Sequence, residues 1–196
     1  MPTSKMYPPW WSGRYGETAP LGHRLRAAFP ERWFRIHSLP SSKRYPDSDA
    51  EREELLQRQD AVASEVLRSS CRLIAPVYEA ADVGASAHLD GFPGRPFDCF
   101  AAFRAPRDCD GFGDDVDVPF DLSFWVAHSD WSLASEQSLL LAIAEDELRV
   151  LWMDTISGEI FAPYDGGVDV IALDAERRDS LRSKFSPWLS SRPDGL

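Results

Sequence analysis

From residue 33 the chain alternates. In Trp33-Phe34-Arg35-Ile36-His37, Phe34 and Ile36 face one way and Trp33, Arg35 and His37 the other, the period-2 pattern of a strand with one buried face. The outward face carries an indole, a guanidinium and an imidazole where small polar groups commonly sit. A proline-bounded basic loop follows, holding Lys43, Arg44 and Tyr45 between Pro40 and Pro46. Before this strand, Leu21, Leu25 and Phe29 recur at helical spacing, and Pro30 ends the helix they predict.

After it, Ser48 with Glu51 forms a capping-box pattern that opens the longest predicted helix, its apolar stripe built from Leu55, Leu56, Val62, Ala63, Val66 and Leu67. Strands are expected over 71–79, 97–103 and 120–128. A helix starting at Asp130 or Ser132 and running to about Glu147 turns Leu139, Leu140, Ile143 and Leu148 inward. Three short strands, 150–154, 159–163 and 168–173, are joined by Ser157-Gly158 and Asp165-Gly166-Gly167, residues that tolerate positive φ. Asp174 caps a last helix with Leu181, Phe185, Trp188 and Leu189 as its apolar face, ended early by Pro187. Strands that are mostly consecutive and joined by short turns predict an α+β fold: a single domain over 21–196, its largely antiparallel sheet covered by helices on one face. Residues 1–20, rich in Pro, Gly, Trp and Tyr, read as an extended arm.

Composition narrows the partners. The chain has 196 residues, 43% apolar and 27% charged, with a formal charge of -11. That balance argues against non-specific attraction to nucleic acid or to an anionic membrane; it serves solubility and is compatible with a basic protein partner. The N-terminus, with Tyr7-Pro8-Pro9-Trp10-Trp11, holds no continuous apolar run, so neither a secretory signal nor a membrane span is expected, and the expected location is cytoplasmic. Cys71, Cys99 and Cys109 show no zinc-site spacing; Cys71 and Cys99 read as buried strand residues. Of the seven tryptophans, Trp125, Trp131, Trp152 and Trp188 fall in predicted elements as core or semi-buried residues, while Trp10, Trp11 and Trp33 do not place themselves inside.

Candidate chemistry is sparse. There is no GxSxG, no phosphate-binding glycine motif, and His37 and Ser38 point to opposite faces of one strand, so no catalytic residue and no cofactor is assigned. Asp108, Asp110, Asp114, Asp115 and Asp117 form an acidic stretch within 107–119, read as a mobile loop. Its resemblance to a calcium loop fails where Phe112 and Pro119 occupy ligand positions, so no metal is assigned. Arg35, His37, Lys43 and Arg44 suit an anion clamp, but ion pairs with the chain's own surplus of carboxylates, Glu51 and Glu53 among them, are the favoured reading.

The strings Trp33-Phe34-Arg35-Ile36-His37-Ser38-Leu39-Pro40, Ser42-Lys43-Arg44-Tyr45, Leu151-Trp152-Met153 and Ile160-Phe161-Ala162-Pro163-Tyr164-Asp165-Gly166-Gly167-Val168-Asp169 resemble a family of bacterial proteins of unknown function, over most of 21–196. The resemblance implies a stand-alone bacterial domain with the first and last strings as its signature, and it implies no activity. Two functions are therefore expected. One is a non-enzymatic protein-binding domain, of immunity or antitoxin type, that neutralises a basic partner. The alternative is a small-anion-binding protein or enzyme, its pocket formed by segments 33–45 and 160–169 with Trp33, Arg35, His37, Lys43, Arg44, Tyr45, Tyr164 and Asp165.

Overall fold

The fold is taken from a computed structural model that describes residues 7–68, 70–79, 92, 95–104, 121–190, 192 and 195. The acidic stretch with Asp108, Asp110, Asp114, Asp115 and Asp117 lies outside the described residues, as do His88 and Cys109. The helices are α1 (Pro9–Tyr15), α2 (Gly22–Ala28), α3 (Asp49–Val66), α4 (Leu133–Ala144) and α5 (Ala175–Lys184). The strands are β1 (Trp33–His37), β2 (Ser70–Glu79), β3 (Asp98–Arg104), β4 (Asp121–Asp130), β5 (Leu151–Asp154), β6 (Ile160–Tyr164) and β7 (Gly167–Ile171). They form one seven-stranded, largely antiparallel sheet in the order β1-β7-β6-β5-β2-β4-β3, the expected α+β architecture.

The chain folds as two compact units, one of Met1–Thr18 with Ile74–Ala127, the other of Ala19–Leu73 with His128–Leu196. In the first, the N-terminal segment departs from the extended arm expected of it. Pro9 sits at the start of α1, where its missing amide costs nothing, and Trp11 and Tyr15, four apart, share one buried face. The Trp11 indole is fully buried, and its Nε1 donates to the Thr18 carbonyl at 2.8 Å, so the arm supplies core rather than reaching outward. Tyr7 and Trp10 join Phe100, whose centroid lies 5.1 Å from that of Trp10. Cys99, expected inside, is exposed, because the register of β3 against β4 shifts between Cys99 and Ala101 and turns its side chain out of the alternation.

The second unit holds the sheet edge that matters below. Burial of Phe34 and Ile36 follows the alternation read from the sequence. Helices α3 and α4 pack on each other and on β6. The Ser48 hydroxyl accepts from Glu51 N as a capping box requires, but the Glu51 carboxylate takes the Asp47 amide and Lys43 in place of the cap residue's own amide. The turn between β5 and β6 is tied by Asp154, a fully buried carboxylate that accepts from the amides of Ile156, Ser157 and Arg68 and from the Ser157 hydroxyl. Those four donors, opposing burial, hold its ionised form below the usual carboxylate range.

Candidate functional site

Strand β1 pairs along its whole length with β7, matching Trp33 to Ile171 and His37 to Gly167, and β7 pairs with β6 through the tight turn at Asp165-Gly166. This register brings the two distinctive sequence strings side by side. Arg35 faces Asp169 and binds it through two parallel hydrogen bonds, Nε to Oδ1 and Nη2 to Oδ2, each 2.8 Å. The Trp33 indole donates to the same Oδ1 at 2.8 Å, and the Arg26 guanidinium stands 3.9 Å from Oδ2. Arg35 also lies 4.4 Å over the Tyr164 ring, and burial pushes the Tyr164 phenol up to about 12 against the pull of that cation.

The loop residues are equally committed. Lys43 binds Asp47 at 2.8 Å and Glu51 at 2.6 Å. Arg44 pairs with the nearly buried Asp165, whose Oδ2 also accepts from the Tyr45 hydroxyl at 3.2 Å. Trp33, Arg35 and Tyr164 gather around Asp169 and Arg44 and Tyr45 around Asp165, while Lys43 is held apart by Asp47 and Glu51. Of the four basic residues, Arg35, Lys43 and Arg44 each already hold a carboxylate of this chain.

Glycine enters that lattice for a reason other than turn conformation. Gly167 does not take the positive φ expected of it. A Cβ there would sit 2.1 Å from the Ile36 carbonyl oxygen, so β7 approaches β1 at a distance only glycine permits.

His37 stands apart. The Gly166 carbonyl accepts from its imidazole, yet Nε2 is buried and has no hydrogen-bond partner. Burial first, then the Arg35 and Arg58 charges, lower its pKa below the ordinary imidazole value, outweighing Gly166. Since the unfolded chain takes up the proton more readily, stability falls as pH drops below about 6.5 toward the folded value and is fully present above it. The expected result is that urea denaturation of His37→Gln shows a flatter loss of stability between pH 7 and pH 5 than the parent. Parallel curves would remove the imidazole from this account.

Beyond His37 the chain turns sharply. Pro40–Ser42 form a 3-10 turn in which Ser41 (φ 56°, ψ 27°) and Ser42 (φ 56°) are both left-handed. For non-glycine residues that conformation costs about 1–2 kcal/mol each. This turn, with His37 and Leu39, walls a cavity of about 300 Å³. The opposite wall is Arg58 from α3 and Pro187, Trp188 and Leu189 from the 3-10 turn (Ser186–Trp188) that follows α5. Leu189 bridges to Ile36, fastening this segment to the outer edge of β1. Arg58 donates Nη1 to the His37 carbonyl at 3.3 Å, pairs with Glu54 and lies 5.5 Å over the Trp188 ring, itself stacked on Phe185.

Of the eight residues singled out from sequence, only His37 reaches the cavity. Tyr164 and Asp165 do not line it, and Arg58 and Trp188 do, which sequence reasoning missed. Arg58 reads as the wet side of an amphipathic helix, and Trp188 as helix core, and only the pairing of β1 with the chain's C-terminal segment puts them opposite each other. Among the described residues, no three His, Cys, Asp or Glu side chains gather as a metal site, and no helix is long and apolar enough to cross a membrane.

Fold and site together define an α+β domain whose paired edge strands carry a small cavity at one corner. The chain belongs to the DUF3885 family, a domain of unknown function, which matches residues 21–193. Helix α1 lies outside that match. No curated protein and no solved structure matches the chain.

Proposed function

We propose that this is a non-enzymatic binding domain that holds a small ligand in the cavity between the Pro40–Ser42 turn and Trp188. One observation carries the reading: two consecutive serines are held in a costly backbone conformation at the wall of that cavity, shortly after β1. The internally paired Arg35, Lys43 and Arg44 then act as scaffold, keeping β1 and its turn in register. A volume of about 300 Å³ suits a ligand of metabolite size. The test is amide NMR of the full chain against a panel of small molecules. Binders are expected to shift Ser41, Ser42 and Leu189 and the Trp188 indole, and Pro187→Trp, which fills the mouth from an exposed position, abolishes those shifts. Shifts confined to other surfaces would overturn the assignment.

A second reading rests on charge. A formal charge of -11, with several of the described cations already paired, supports electrostatic steering of a basic protein, as an immunity or antitoxin protein would need. It carries with it a bacterial, cytoplasmic setting. Capture from native lysate at low and at high salt separates the two: a basic protein retained at low salt and released at high salt favours this one.

A further inference from the structure

We infer that the cavity takes a small monoanion, a carboxylate borne on an apolar body; this rests on the pocket reading above. Among the described residues, Arg58 is the only ionised side chain in the wall, and no carboxylate lines it. Two of its five N–H groups are committed, one to the His37 carbonyl and one to Glu54, and the guanidinium carbon lies 5.5 Å from the centre of the Trp188 ring. The donors that remain belong to a planar, forked group, the geometry that carboxylates accept. Arg58 is 14% exposed, so the attraction is less screened than at an open surface, while its partner Glu54 is 40% exposed and free to yield.

The rest of the wall sets the body of the ligand. Leu39, Pro40, Pro187 and Leu189 offer apolar surface, and the Ser41 and Ser42 hydroxyls supply neutral donors near the turn. One positive charge balances one negative charge. A phosphate dianion would bring a second into a chain already at -11, with no second cation among the described residues of the wall to meet it. His37, neutral near pH 7, adds none.

The inference is tested by calorimetry with matched pairs: benzoate and benzamide, phenylacetate and phenylacetamide, 3-phenylpropionate and its amide. At least one acid is expected to bind about tenfold or more tightly than its amide. Arg58→Gln erases that preference while amide affinity stays, and Glu54→Gln raises acid affinity severalfold because the internal competitor is gone. A folded Glu54→Gln keeps the test open should Arg58→Gln fail to fold. Equal affinity for acid and amide overturns the anion and leaves the pocket standing. No binding of any pair at millimolar concentration overturns both. Weaker acid binding by Glu54→Gln overturns the role given to Arg58.

Discussion

Gly167→Ala is expected to destabilise the chain by about 3 kcal/mol, near the top of what overpacking costs and felt across the β1–β7 pairing. The added methyl would stand 2.1 Å from a backbone oxygen and not from a side chain that could swing aside. Relief requires the two strands to separate, and separation breaks the register on which Arg35, Asp169 and the His37–Gly166 contact depend. For a chain of this size the loss lowers Tm by roughly 6–12 °C. Gly166→Ala is the control: its Cβ meets the Tyr164 ring edge at 3.0 Å, and a ring can shift. Equal melting temperatures for the parent and Gly167→Ala would show that the strands are not so closely apposed.

Arg35→Met carries the second large effect, about 3–5 kcal/mol, because it strips a buried carboxylate of its bidentate partner. Asp169 is 4% exposed, and after the substitution only the Trp33 indole and the more distant Arg26 remain to it. The double variant Arg35→Met with Asp169→Leu is expected to recover most of the loss, since an apolar pair of similar volume costs little where an unpaired charge costs much. Denaturation of the two single variants and the double gives the coupling directly. Additive losses would mean that the pair does not act as a unit.

Most of the elements were legible in the chain. The alternation at 33–37, the Ser48 and Asp174 caps and the Ser157-Gly158 turn are local, and local sterics decide them. The N-terminal segment was not, since Trp10 and Trp11 look like misplaced surface until i, i+4 burial of Trp11 and Tyr15 organises them. Nor did the doublet Gly166-Gly167 reveal its purpose: neither glycine takes a positive φ, and Gly167, kept for close approach, reads like a turn glycine. The site was half legible. The strings at 33–40 and 160–169 do lie side by side in the sheet, but charge pairing across more than a hundred residues occupies their cations, Arg35 with Asp169 and Arg44 with Asp165. Arg58 and Trp188 entered through tertiary contact alone.

The division between scaffold and pocket is best tested by a crystal structure of the full chain grown with the tightest acid from the matched pairs. The carboxylate is predicted to lie against Arg58 between the Ser41-Ser42 turn and Trp188, with the Arg35–Asp169 and Arg44–Asp165 pairs unbroken. A ligand seated at the Tyr164 turn, with Asp165 or Asp169 displaced from its arginine, would contradict it.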